Sequence, residues 1–406
     1  MSIADRLGLL RRQAGVVDAP QPAAEPQPSA TSLADRIARA RPRERAVRRP
    51  DDHALAATLA GRVLAPGVIE IINRLPLGRR HGSGSLAGLA EPMPGLPGPA
   101  ADGEWLFLDT ETSGLSGGTG TLAFLVGMAR VDLDCLEVRQ WLLTAFAGEP
   151  PMLAAAADWG GRGILVSYNG RSFDVPLLLT RLRLQGQPDP FTGRPHIDLL
   201  FPTRRAFATR WEDCRLATAE RRLLGFTRTA DVPGAEVPLA WFDWLHRGDA
   251  TRLPEVLRHN LWDLVSLAAL LPAVAAAYAA PHRAGADAAA VAQHWLEAAE
   301  PDRALSILRV AEPALDARGL SLLARLHRRR GEWAKAVPIW SRLAEEGDTA
   351  ALEHLAKYHE HVERDCEAAL RFAQQLPEGQ GRAQRLARLR ARAARRTEAS
   401  ALRWDD

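Results

Sequence analysis

Residues 106–115 read Leu106-Phe107-Leu108-Asp109-Thr110-Glu111-Thr112-Ser113-Gly114-Leu115, an apolar run that ends in two carboxylates and then glycine. The run at 105–110 predicts a short buried strand. Successive side chains of a strand point to opposite faces, so Asp109 and Glu111 project to one side, at the strand's end, where a Gly-rich loop begins. Two carboxylates held that close repel unless a cation sits between them. With no Cys or His beside them, hard oxygen ligands suit Mg²⁺ or Mn²⁺ rather than zinc. Alone, an Asp-x-Glu pair is more simply an exposed turn residue next to a helix cap.

Residues 122–131 and 136–143 predict two further strands, joined around Asp132-Leu133-Asp134. A short helix at 152–159, a buried strand at 164–167 and a helix at 175–184 follow. Three strands in a row, then alternating helix and strand, predict an α/β domain on a sheet of mixed direction. Tyr168-Asn169-Gly170-Arg171-Ser172-Phe173-Asp174 links the last of these strands to its helix. Asp174 therefore falls in a first helical turn, where the helix dipole favours negative charge; an ordinary cap is the competing reading. Farther on, His259-Asn260-Leu261-Trp262-Asp263 lies on a long helix whose apolar side carries Leu257, Leu261, Leu264 and Leu267. His259 and Asp263 are one turn apart on one face, a fourth carboxylate beside a proton-accepting imidazole.

LFLDTETSGL, VSYNGRSFDVPLL and HNLWDLVSLAAL, in that order, resemble the three exonuclease motifs of the DEDD superfamily on the ribonuclease H-like fold. The wider context is similar to the YprB-type ribonuclease H-like proteins: LSGGTGTLAFLVGMARV after the first motif, HIDLL at 196–200, and CRLATAERRLLGFTRTADVPGAEVP from Cys214. The resemblance spans residues 100–275, and members of that family often carry tetratricopeptide-like helices downstream.

The resemblance implies an α/β ribonuclease H-like domain, a mixed β-sheet flanked by helices, acting as a 3′→5′ exonuclease on DNA or RNA with two divalent metal ions, Mg²⁺ or Mn²⁺. Asp109, Glu111, Asp174 and Asp263 become the metal-binding carboxylates. Asp109 would bridge the ions, Glu111 and Asp263 complete one, and Asp174 hold the other mainly through water. Two ions about 4 Å apart can serve both the attacking water and the leaving oxygen of a phosphodiester. His259 would orient and deprotonate that water, a role suited to a side chain that titrates near neutrality. Superfamily members with this spacing to the last Asp usually carry Tyr; this chain has His. Thr110, Thr112, Tyr168, Asn169 and Phe173 are the expected substrate contacts, Tyr168 or Phe173 by stacking on a base.

The remaining sequence sets the frame. A chain of 406 residues exceeds one ordinary domain, and 47% hydrophobic with 25% charged residues describes a globular protein. Cys135, Cys214 and Cys366 form no CxxC pair, which argues against a disulfide framework or a zinc cluster. No stretch reaches the roughly 18 uninterrupted apolar residues of a membrane span, and the N-terminus has no signal-peptide hydrophobic region. The expected location is therefore the cytoplasm, with no membrane partner. The net charge of +3 is a sum of unlike parts: residues 1–50 carry +5, residues 382–406 another +5, leaving −7 for the middle.

The expected organisation is a disordered basic arm (1–50), a segment with a helix at 54–64 and a Pro/Gly-rich wrapping passage (51–100), the exonuclease domain (101–280), tetratricopeptide-like helical repeats (286–380) and a basic tail (381–406). Small residues Ala304, Ala336 and Ala369, spaced by 32 and 33, suggest the repeats, which would bind a protein partner or guide substrate. His196 and Asp198 share a strand face and either border the groove or make structural hydrogen bonds. Arg171 and Arg194 are candidate phosphate ligands or plain surface charges; Trp241, Trp244 and Trp262 read as core. Two rival functions keep the same residues: a structure-specific endonuclease on this fold, and a non-catalytic scaffold binding nucleic acid or protein. The scaffold has no need for four converging acids.

Overall fold

The computed structural model describes residues 51–97, 104–114 and 120–401. The expected basic arm at 1–50, the glycine-rich loop 115–119 and the end of the tail at 402–406 lie outside the described residues.

Helix α1 (Asp52–Thr58) leads into a hairpin, β1 (Arg62–Ala65) and β2 (Val68–Pro76), and a small ladder, β3 (Arg80–His81) with β4 (Gly84–Ser85). Then come β5 (Trp105–Thr112), β6 (Ala123–Asp132), β7 (Cys135–Leu143), α2 (Glu149–Trp159), β8 (Ile164–Ser167), α3 (Asp174–Leu184), β9 (His196–Asp198) and α4 (Leu200–Phe207). A short α5 (Leu216–Ala219), α6 (Val237–Arg247) and the long α7 (Leu253–Ala279) complete this part. The seven-stranded sheet has the order β1-β2-β7-β6-β5-β8-β9. β8 lies parallel to both β5 and β9, while the β5, β6, β7, β2 and β1 pairings are antiparallel. This is the mixed α/β sheet expected from the sequence.

One element differs from expectation. The helix predicted over 54–64 ends at Thr58; the chain turns through Ala60, at φ 52°, and enters β1. The run Val68-Ile69-Glu70-Ile71-Ile72, β-branched at every position but Glu70, extends the sheet at the edge of β7. Part of the Pro/Gly-rich passage lies against α7, so close at Gly95 that an added Cβ would meet Ala275 O at 1.9 Å.

The alternation of β5 sorts the core. Trp105 and Phe107 pack with Leu264, Leu267 and Leu271 of α7, whereas Leu106 and Leu108 pack with Met152 and Leu153 of α2 and with Leu178 and Leu182 of α3. The same alternation carries Asp109 and Glu111 toward α7 and Thr110 toward α3. Helix α7 is long and apolar enough to cross a membrane by length and composition, but most of it is buried among these layers as the central core helix.

The C-terminal region is helical: α8 (Pro281–Ala284), α9 (Ala288–Glu297), α10 (Pro301–Ala311), α11 (Ala317–Arg329), α12 (Trp333–Glu345), α13 (Thr349–His361), α14 (Cys366–Gln374) and α15 (Gln380–Ala401). Ala304, Ala336 and Ala369 are fully buried where successive helices meet. Asp287, Asp316, Asp348 and Asp365 cap α9, α11, α13 and α14 by accepting main-chain N–H bonds, a local signal for each helix start. The arginines of α15 are not simply offered to solvent. Arg388 and Arg392 both reach the buried Glu360 of α13 (2.8 and 3.2 Å), and Arg385 lies 3.4 Å from Glu353.

Candidate active site

The parallel pair β5 and β8 ends at one edge of the sheet, α3 begins there and α7 packs against β5, so the three expected sequence motifs meet. Asp109 pairs with Gly127 of β6, which pairs with Gln140 of β7, making one rung across three strands. Gly127 leaves a notch on that rung into which α7 presses Asn260. A Cβ there would lie 2.1 Å from Asn260 Oδ1. Buried Asn260 donates from Nδ2 to Asp109 Oδ2 (2.8 Å), and its Oδ1 accepts from Gln140 Nε2 (2.9 Å). Asp109 thus has a fixed rotamer.

Asp174 stands at the start of α3 but does not cap it in the usual sense. Its Oδ1 accepts from the main-chain N–H (3.1 Å) and the hydroxyl (2.5 Å) of Thr110. Thr110, expected as a substrate contact, therefore spends its polar groups on orienting Asp174, although it also lines the cleft. Thr112 Oγ1 donates to Gly114 O (3.0 Å).

On the α7 side, Glu111, His259 and Asp263 bring ligand atoms within 4.8 Å of one another. His259 Nε2 lies 3.6 Å from Asp263 Oδ2 and 3.9 Å from Glu111 Oε1. Glu111 Oε1 is buried and has no hydrogen-bond partner among the described residues. Asp263 Oδ1 accepts from Arg228, which also pairs with Glu220 (2.6 Å) and Asp231 (3.1 Å). Asp231 accepts from His259 Nδ1 (2.8 Å). Behind this group, Ser266 Oγ donates to Glu220 and bonds His81 Nε2 (2.8 Å), so the wrapping segment helps support the site.

The electrostatics are those of a site rich in negative charge. Burial and the repulsion of Asp263, Glu111 and Asp174 raise Asp109 well above the usual carboxylate range. Burial, with Asp263 and Asp174 adding to it, pushes Glu111 up to about 8. Burial raises Asp174 to about 6 against the opposing hydrogen bonds from Thr110. Burial alone would lower His259, but Asp263, Glu111 and Asp231 outweigh it and raise its pKa. Among the described residues, the Arg228 guanidinium and the His259 imidazole leave the buried Glu111 Oε1 without a donor. A set of carboxylate oxygens short of positive charge is the donor chemistry that hard divalent cations take, so the residues present fit such ions.

A cleft of about 670 Å³ opens beside the acids, lined by Asp109, Thr110, Glu111, Thr112, Tyr168, Asn169, Phe173 and Asp174, with Pro238 of α6 across from them. Phe173 is 60% exposed at its lip. Asn169 adopts φ 69° and is held there by its N–H to Asp198 Oδ1 (2.6 Å). Tyr168 is tied by its hydroxyl to Cys214 O (2.7 Å). Asp198 and His196 make structural hydrogen bonds, His196 to Ser167 Oγ at 2.8 Å. The two candidate phosphate ligands serve the scaffold: Arg171 donates to His196 O, and Arg194 to the carbonyl of Gly163 (2.6 Å). Trp241 and Trp244 are core, as expected, while Trp262 is half-buried beneath the Arg258 guanidinium.

Sequence reading assigned no role to Asn260, Gln140, Glu220, Arg228 or Asp231. Asn260 sits inside the third motif, and Arg228 and Asp231 stand in the RTADVPG stretch; what identifies them is proximity that only folding creates.

The RNase_H superfamily profile matches residues 106–275. The uncharacterized protein YprB of Bacillus subtilis (strain 168) is 32% identical over 280 residues, covering 66% of this chain and 68% of that protein. The family B DNA polymerase structure from the hyperthermophilic archaeon Pyrobaculum calidifontis aligns with 66% of this chain at 14% identity and a TM-score of 0.36, and the match spans 34% of the polymerase. With its motifs at the junction of β5, α3 and α7 and a helical region downstream, the chain belongs to the YprB-type proteins of the ribonuclease H superfamily, which gives it a nuclease-type fold.

Proposed function

We propose that the protein is a divalent-metal-dependent 3′→5′ exonuclease acting on DNA or RNA. The observation that carries this reading is that Asp109, Glu111 and Asp174 line one cleft while Asp263 and His259 of α7 bring ligand atoms within 4.8 Å of one of Glu111, whose Oε1 is buried and has no donor among the described residues. Two ions, Mg²⁺ or Mn²⁺, held by these carboxylates would supply Lewis acidity for a nucleophilic water and for the departing oxygen. His259 takes the proton of the attacking water at Nε2, the ring nitrogen that faces Glu111 and Asp263. Water adds to phosphorus, the bond to the 3′ oxygen of the preceding nucleotide breaks, and that oxygen is reprotonated from solvent, releasing a 5′-mononucleotide. Phe173 at the lip stacks the terminal base, and Asn169 and Tyr168 shape the wall behind it. The helical region serves as a surface for a protein partner or for the rest of the substrate.

End-labelled DNA and RNA oligonucleotides test the proposal. Stepwise shortening from the 3′ end in Mg²⁺ or Mn²⁺, lost in Asp109→Ala, is expected. Equal activity of wild type and Asp109→Ala refutes it, and cutting of a closed circle replaces the exonuclease with an endonuclease.

A further inference from the structure

The imidazole of His259 is held from behind. Its Nδ1 meets both oxygens of Asp231, at 2.8 and 3.0 Å, and Asp231 in turn accepts from Arg228 Nη1 at 3.1 Å. Arg228 is anchored independently by Glu220 and Asp263. A carboxylate can only accept, so the ring proton belongs on Nδ1 and the neutral ring presents the lone pair of Nε2. That lone pair faces Asp263 Oδ2 at 3.6 Å and Glu111 Oε1 at 3.9 Å. Both lie beyond hydrogen-bond range, so neither carboxylate takes up Nε2.

We propose that Asp231 is a positioning residue of the reaction, which fixes His259 in the Nδ1–H tautomer and thereby leaves Nε2 free to accept the proton of the attacking water. The inference rests on the nuclease reading for its consequence, but not for its geometry. Asp231 belongs to the loop between the π-helical turn Glu220–Leu224 and α6, and two arginines tie that loop to α7: Arg228 through Asp263, and Arg258 by donating to Ala230 O at 2.6 Å.

Asp231→Asn makes the idea sharp. Arg228 can only donate, so it claims the amide oxygen of the new side chain, which turns the NH₂ toward His259 Nδ1. Nδ1 must then accept, and the proton moves to Nε2, the tautomer that cannot take a proton from water. In the serine-protease triad the same kind of exchange keeps the geometry and cuts kcat by about 10⁴.

The test is side-chain ¹⁵N NMR of the full-length protein at alkaline pH, where the ring is neutral, with the His259 signals assigned by their loss in His259→Gln. Wild type is expected to show Nδ1 protonated and Nε2 bare; Asp231→Asn is expected to reverse them. On oligonucleotides, Asp231→Asn lowers kcat by about 10²-fold or more while KM changes little, and Asp231→Glu restores part of the rate. An Nε2–H tautomer in wild type overturns the proposal without need of any variant, as does an unchanged tautomer or an unchanged kcat in Asp231→Asn. If wild type hydrolyses nothing, the nuclease reading falls, while the tautomer measurement still decides whether Asp231 orients the ring.

Discussion

Asn260 donates to Asp109 across the notch left by Gly127, at 2.8 Å, and takes a hydrogen bond from Gln140 on the other side of the same rung. One buried amide thereby sets both the height of α7 over the sheet and the rotamer of the central carboxylate. Asn260→Ala removes the donor to Asp109 and one acceptor of Gln140, so a stability loss of about 1–3 kcal/mol is expected by denaturant unfolding. Groups that orient ligands commonly change metal affinity about 10–100-fold, and titration with Mn²⁺ should show a loss of that size. Gly127→Ala should reproduce both effects with Asn260 intact, because the new methyl displaces the amide. Unaltered Mn²⁺ affinity in both variants would mean that Asp109 needs no support from α7.

The metal-free protein should lose stability as pH rises. Glu111 and Asp174 have folded-state values of about 8 and about 6, above the ordinary carboxylate values they take when unfolded, and Asp109 is raised as well. The folded state therefore binds more protons than the unfolded state across that interval, and stability falls with pH. The contribution is fully present below the ordinary carboxylate range and is lost as pH passes through the raised values, up to about 8 for Glu111. His259, also raised, acts in the same direction. Thermal unfolding in chelator from acidic to mildly alkaline pH should show a falling midpoint. Added Mg²⁺ or Mn²⁺ should flatten the fall, because an ion that binds only the folded state stabilises it. In chelator, Asp109→Asn should raise the midpoint at the alkaline end. A midpoint in chelator that rises through this interval contradicts the prediction.

The strands bearing Asp109 and Ser167 and the helix bearing Asp263 were legible from sequence, because apolar period and chain punctuation are local signals. Residues 59–64 misled for the same reason: a few apolar residues after a helix look like its continuation, whereas the chain turns at Ala60 and only pairing with β2 makes Arg62–Ala65 a strand. Asp109, Glu111, Asp174 and Asp263 could be named from motif order. The partners that orient them could not. Asp231 is 28 positions from His259, and Asn260 is 151 from Asp109, so no spacing rule reaches them. Arg171 and Arg194 show the converse, since a cation near a motif reads as a phosphate ligand until main-chain carbonyls are found to occupy it.

Arg228 should be the most sensitive charge in the molecule. It is 11% exposed and joins Glu220, Asp231 and Asp263, of which Glu220 is itself fully buried. Arg228→Met keeps the bulk and removes the charge, leaving buried carboxylates without their cation, a change that typically costs about 3–5 kcal/mol. The double variant with Glu220→Gln should recover part of that loss, since the uncompensated charge is what destabilises. Denaturant midpoints of the two variants measure this. Equal destabilisation by single and double variants would show that Arg228 acts through packing.

Phe173 separates substrate binding from stability. It stands at the lip of the cleft with 60% of its surface exposed, immediately before Asp174, so the fold gains little from its ring. Stacking of a base on an aromatic ring contributes about 1–3 kcal/mol, which corresponds to a rise in KM of about 5–150-fold for Phe173→Ala on a single-stranded end. The unfolding midpoint should stay near that of wild type, and Phe173→Trp should retain the affinity, because any flat ring can serve. A normal KM in Phe173→Ala would place the terminal base elsewhere in the cleft. A lowered midpoint with normal KM would make the ring structural, in conflict with its exposure.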